Sequence, residues 1–139
     1  MNKPTIESAT IHTLGNFCDS RGNLSVVEGG LHIPFEFKRS FWISDIPEKE
    51  ERGAHAHMQC EQFLVAARGS FDVLVDDGEN QKTVTLSKPW EGLYVPAGLW
   101  AAERNYSPEA VCIVFASEHY DEADYIRSYE QFLQYRKSL

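Results

Sequence analysis

Short runs of alternating apolar and polar positions dominate the chain. In "EQFLVAARGSFDVLVDDG" (residues 61–78), Phe71, Val73 and Val75 share one face. The run predicts a hairpin that turns first at Arg68-Gly69 and again at Asp77-Gly78. "TIHTLG" and "GNLSVVEG" bracket a turn around Asp19, Arg21 and Gly22, and "FKRSFWISDI" is aromatic and β-branched. With "KTVTLSK", "EGLYVPAG" and "AVCIVFAS", these make about eight short strands at roughly even spacing, the pattern of an all-β sandwich or small barrel. The C-terminal "DEADYIRSYEQFLQYRKSL" switches period. Tyr125, Ile126, Tyr129, Phe132 and Leu133 form one helical stripe, which predicts a helix packed on the barrel. Asp121, Glu122 and Asp124 stand at its start and Arg136 and Lys137 at its end, as the helix dipole favours.

No linker or repeat divides the 139 residues, so 1–139 reads as a single domain. A hydrophobic share of 42% and a charged share of 24% fit a globular protein in water. The net charge of −8 argues against nucleic acid as a partner. No apolar stretch approaches the roughly 18 residues of a membrane span, and no signal-like run opens the chain. Cys18, Cys60 and Cys112 have neither paired nor CxxC spacing, so no disulfide framework is expected. The expected location is the cytoplasm.

The candidate chemistry lies in "RGAHAHMQCEQ" (residues 52–62). On a regular strand His55 and His57 project to the same side, and Gln59 and Glu61 continue that face. The face could enter a barrel cavity, or it could meet solvent with Ala54, Ala56, Met58 and Cys60 as core. Two imidazoles and a carboxylate could hold a metal, and two imidazoles alone could exchange protons. The spacing leaves these alternatives open.

A second segment, "GLYVPAGLWAAERN", narrows them. His55, His57 and Glu61 match the HxHxxxE core of the first cupin motif, with Gly69 near its closing glycine. Pro96 and Gly98 match the PxGxxH core of the second motif, whose histidine position holds Ala101. The chain therefore resembles the cupin superfamily. The resemblance implies an all-β double-stranded β-helix, or jelly-roll, barrel carrying a short C-terminal α-helix. Ala101 removes one ligand from the superfamily's usual metal set, which frees the histidines for proton transfer.

"DSRGNL", "IPFEFKRSFWI", "RGAHAHMQCEQFLV", "VLVDDG", "GLYVPAGLW" and "ASEHYDEADYIRSYEQF" follow in this order. Together they resemble the sugar 3,4-ketoisomerase family, which acts on dTDP-4-oxo-6-deoxy-D-glucose. The resemblance implies an isomerase that needs no metal or other cofactor, working on a dTDP-linked 4-oxo-6-deoxyhexose for deoxyaminosugar and surface-polysaccharide synthesis. It further implies a homodimer that exchanges N-terminal strands. By carry-over, His55 and His57 are the acid/base candidates. Arg39 and Arg52 suit the diphosphate, whose oxygens a planar guanidinium can grip in pairs. Arg21 matches a position near the sugar, Trp100 is a candidate cavity wall, and Glu61 is a candidate support for the histidines. His12, His32 and His119 read as surface or structural groups. Phe41 replaces a common tyrosine and Ala101 a common histidine or arginine. A metal-dependent cupin enzyme using His55, His57 and Glu61, and a catalytically silent dTDP-sugar binder, are the alternatives.

Overall fold

The computed structural model describes residues 3–139. Its strands are β1 (Thr10–Thr13), β2 (Gly15–Asp19), β3 (Gly22–Val26), β4 (Arg39–Ile43), β5 (Arg52–His57), β6 (Gln62–Arg68), β7 (Phe71–Asp76), β8 (Gln81–Leu86), β9 (Glu91–Val95), β10 (Trp100–Arg104), β11 (Val111–Ala116) and β12 (Tyr125–Ile126), followed by helix α1 (Tyr129–Ser138). Two five-stranded sheets face each other, in the orders β1-β9-β6-β11-β4 and β12-β5-β10-β7-β8. Every ladder between named strands is antiparallel. This is the expected cupin-type jelly roll.

The core follows from the alternation in the sequence. Phe71, Val73 and Val75 of β7 are buried against Leu64 and Ala66 of β6, Leu93 and Val95 of β9, and Cys112 and Val114 of β11. Strand β6 is buried on both faces, because its other side chains, Phe63 and Val65, pack under Leu14, Ile33 and Phe35. That covering explains why "QFLVAAR" reads as a continuous apolar run rather than an alternating one. The first predicted turn forms at Gly69, where φ is +69° and a Cβ would collide with Ser107 and Ala110. Only glycine fits so close an approach. The second forms at Gly78, whose N–H donates to Asp76 Oδ1 at 2.6 Å.

The C-terminal helix is shorter than the periodicity predicts. Ser128 caps it, accepting the Gln131 N–H at 3.3 Å, and its body begins only at Tyr129. Residues 122–124 form a 3₁₀ turn capped by Asp121, and Tyr125–Ile126 pair with His57 and Ala56 of β5. Tertiary strand pairing overrides a local helical period here. The helix that remains buries Phe132 against Ala56, Trp100 and Ile126. Arg136, also buried, donates to the Gly98 carbonyl at 3.1 Å.

The β2–β3 hairpin joins neither large sheet. Phe17 and Leu24 on it are 66% and 56% exposed. An isolated two-stranded ribbon is marginal by itself.

Candidate active site

The pairing of β5 with β10 slips by one residue. Ala101 stands opposite His55, whereas Ala102 stands opposite Gly53, so Ala54 is the extra residue of a bulge. Gly53 and Ala54 accommodate it with φ of +80° and +57°. The slip has a chemical consequence. Arg52 and His55 are three residues apart and would point to opposite faces of a regular strand. With the bulge, Arg52 pairs with Glu103 and His55 with Ala101, and all four line one cavity.

That cavity has a volume of about 200 Å³. Phe41, Ile43, Leu64 and Val114 form its apolar wall, while Arg52, His55, Gln62, Glu103, Tyr125 and Arg127 supply its polar groups. The side chain of His57 is only 5% exposed and lies behind that of His55, the two rings meeting edge to face at 4.9 Å. Tyr125 packs on both imidazoles, at 4.9 Å and 4.3 Å.

Hydrogen bonds fix both imidazole tautomers. His55 Nδ1 lies 3.1 Å from the Gly53 carbonyl, which can only accept, so Nδ1 carries the proton and Nε2 the lone pair. His57 Nδ1 lies 3.1 Å from Asp124 Oδ2, and its Nε2 is buried without a partner. Desolvation lowers the pKa of His55 to about 4, reinforced by the neighbouring His57. Desolvation also lowers that of His57, against the opposing pull of Asp124. At neutral pH both rings are uncharged, and His55 offers the cavity a free basic nitrogen.

Asp124 gathers three donors: the His57 ring and the backbone N–H groups of Gln59 and Cys60, at 2.7 to 3.1 Å. His57, Cys60 and Asp124 bring one potential ligand atom each within 4.8 Å of one another, and they are the single such cluster among the described residues. The alternative metal set of His55, His57 and Glu61 does not assemble. Strand β5 ends at His57, so the alternation that would have carried Glu61 to the same face stops there. Glu61 instead accepts a 2.5 Å hydrogen bond from the Tyr94 hydroxyl, and Gln62 enters the cavity in its place.

Other expected positions divide. Arg52 lines the cavity. Arg39 does not, but it sits beside His57, and its guanidinium stacks on Phe41 and Tyr120 at 5.3 and 5.5 Å. Trp100 is no cavity wall. It is buried under α1, edge to face with Tyr129 at 5.3 Å, because its neighbour Ala101 takes the inward direction. Arg21 lies on the β2–β3 hairpin, paired with Asp19 at 2.6 Å, and lines a separate surface groove with Phe17 and Leu24. His32 is structural, accepting the Glu28 N–H at 2.9 Å in a turn.

Four residues escaped the sequence reading. Tyr125 and Arg127 were assigned to a helix and instead line the cavity, with the Arg127 guanidinium 4.3 Å over the Tyr125 ring. Arg127 also pairs with Glu122 at 2.7 Å. Asp124 carries no spacing signal, since its partner His57 lies 67 residues away. Glu103 carries no motif or spacing signal in the sequence. It is 7% exposed, and burial pushes its pKa up to about 8.

Three comparisons bear on this site. The family profile described as "FdtA: WxcM-like, C-terminal" matches residues 7–137. The TDP-4-oxo-6-deoxy-alpha-D-glucose-3,4-oxoisomerase of Aneurinibacillus thermoaerophilus is 44% identical over 117 residues, 84% of each chain. A 3,4-ketoisomerase from Helicobacter canadensis superposes with a TM-score of 0.90 at 38% identity, covering 93% of this chain and 97% of that one. A histidine-to-asparagine variant of the 3,4-ketoisomerase QdtA from Thermoanaerobacterium thermosaccharolyticum, solved with TDP-4-keto-6-deoxyglucose, superposes at 0.91 with 30% identity and 94% of each chain covered.

Proposed function

The chain belongs to the FdtA, WxcM-like C-terminal family, and on that premise we propose that it is a dTDP-4-oxo-6-deoxyhexose 3,4-ketoisomerase with His55 as the base. The observation that carries the assignment is the uncharged His55, its Nε2 free, in a cavity flanked by Arg52 and Arg127.

The reaction is an internal redox exchange and needs no outside oxidant. The C4 carbonyl acidifies the proton on C3. His55 Nε2 takes that proton, and the electron pair of the C3–H bond forms the C3–C4 double bond of an enediolate as charge moves to the C4 oxygen. Return of a proton to C4, with loss of the C3 hydroxyl proton and protonation of the C4 oxygen, leaves the carbonyl at C3. The base must be neutral to begin, which burial ensures. His57 supports His55 from behind, and Asp124 holds His57 in one tautomer. Arg52 and Arg127 line the cavity as planar cations that can grip a diphosphate in pairs of hydrogen bonds, and Arg39 is a half-buried cation near His57.

The partners follow from the same reading. The exposed Phe17 and Leu24 fit a hairpin that packs on a second copy, as in a homodimer, and such packing would carry Arg21 away from its own barrel. Among the described residues no helix is long and apolar enough to cross a membrane. Free thiols at Cys18, Cys60 and Cys112 suit a reducing compartment, and we place the enzyme in the cytoplasm.

The test is incubation with dTDP-4-oxo-6-deoxyglucose in D₂O, followed by NMR. Deuterium at C3 of the substrate or C4 of the product, with a 3-oxo species accumulating, is expected. No exchange and no 3-oxo product rejects the assignment.

A further inference from the structure

Glu103 shares a row of the sheet with two valines and an arginine. Across β8, β7, β10 and β5 the row reads Val84, Val73, Glu103, Arg52. Val73 is fully buried, and Tyr106 and Cys112 lie close enough to Glu103 for its charge to raise both their pKa values, after the larger effect of burial. The carboxyl packs against Gly53, where a Cβ would collide with it. No ion pair among the described residues includes it, although Arg52 stands opposite on the next strand. A carboxylate in such a place is strongly disfavoured unless it is paired or takes up a proton. With burial holding its pKa near 8, the second outcome applies, and the group is mostly a carboxylic acid at neutral pH.

A carboxylic acid differs from a carboxylate in one chemical respect that matters here: it can donate a hydrogen bond. Glu103 lines the same cavity as His55. It lies two residues along β10 from Ala101, the residue opposite His55, and so about 7 Å from that row. This separation is on the scale of a hexose ring with its hydroxyls. The wall between is apolar at Phe41, Leu64, Val114 and Ala101, which strengthens any hydrogen bond made inside it.

The geometry points to Glu103 as an oxyanion donor that, in its protonated form, hydrogen-bonds the hexose oxygen on which negative charge develops during the isomerisation. This inference rests on the ketoisomerase reading and names a further residue for it. A neutral acid kept in an apolar site so that it can donate to an enolate oxygen is established chemistry. Losing one such donor costs about 10²-fold in turnover.

The experiment compares the wild type with Glu103→Leu and Glu103→Gln by deuterium exchange at C3 and C4 from pH 6 to pH 10, with dTDP affinity by calorimetry and thermal melts on each variant. Glu103→Leu is expected to lower kcat about 10²-fold while dTDP binds within about twofold of wild type. The wild-type rate is expected to fall above about pH 8 as the acid ionises. Glu103→Gln keeps an N–H donor but cannot ionise, so its profile loses that alkaline fall, an effect no structural role produces. Exchange by Glu103→Leu within threefold of wild type overturns the inference. So does an unchanged alkaline fall in Glu103→Gln, which stays decisive if the leucine variant does not fold. A wild type that shows no exchange at any pH overturns the ketoisomerase assignment, and the role of Glu103 with it.

Discussion

Asp124 and Glu103 are both buried acidic residues beside the same cavity, and their surroundings differ in one respect. Asp124 receives three hydrogen bonds, two from backbone N–H groups and one from His57. Glu103 lies in a row with Val73 and Val84, pairs with no cation, and is pushed up to about pKa 8. Burial by itself therefore does not decide what a carboxyl does. Three donors make one an orienting acceptor, and burial that its few favourable contacts do not offset makes the other a weak acid. The histidine end of the cavity is organised around a carboxylate with three donors, the Glu103 end around a carboxyl that burial keeps protonated.

Replacing the proposed base breaks the histidine end outright. His55→Asn should lower C3 exchange by about 10³-fold, within the usual range for a general base. Affinity for dTDP should stay within about twofold, because the proposed reaction has the imidazole act on the sugar. A variant with wild-type exchange would move the base elsewhere.

Asp124→Asn strikes the same end less directly. The amide NH₂ would face donors where oxygens stood, leaving a backbone N–H or the His57 ring unpaired at a cost of about 1–3 kcal/mol. Turnover is expected to fall about 30-fold with KM little changed, and the His57 ring NMR signals should report a changed tautomer. Unaltered ring signals would show that Asp124 does not set the tautomer.

Gly53→Ala tests the other end. It imposes φ of +80° on alanine and drives a Cβ into the Glu103 carboxyl. A loss of about 2 kcal/mol is expected in urea denaturation. Combining it with Glu103→Ala should recover part of that loss, and strict additivity would show that the contact carries none of it.

The dependence of stability on pH takes opposite signs at the two ends. His55 and His57 have folded pKa values below the unfolded 6.5, so their contribution is lost as pH falls below about 6.5, for His55 down through about 4. Glu103 has a folded value above its unfolded 4.5, so its contribution is full below 4.5 and lost as pH rises through about 8. Stability should peak between these limbs. Glu103→Gln should flatten the alkaline limb alone, as measured by urea midpoints from pH 6 to pH 9.

Much of this was legible in the sequence because it is local. The period-two runs gave the strands, Gly69 and Gly78 marked real turns, and the spacing of His55 and His57 put both rings on the same side of β5. Misreadings came where a distant segment intervened. Tyr125 carries a helical period yet pairs with His57, since a strand edge was available to it. Glu61 keeps the motif's spacing, but the chain turns after His57 and sends its side chain to Tyr94. Trp100 looked like a wall and became core once Ala101 faced inward.

By itself, then, the sequence determined the strand pattern, the family and the imidazole pair, because periodicity and motif spacing are properties of adjacent residues. Tertiary structure alone decided that a bulge at Ala54 turns Arg52 and His55 to one side, that Asp124 reaches His57 across 67 residues, and that Glu103 is buried beside Val73. These depend on which strands lie next to each other and on how much water they exclude. The charge state of Glu103 is set by that exclusion, and no spacing along the chain encodes it.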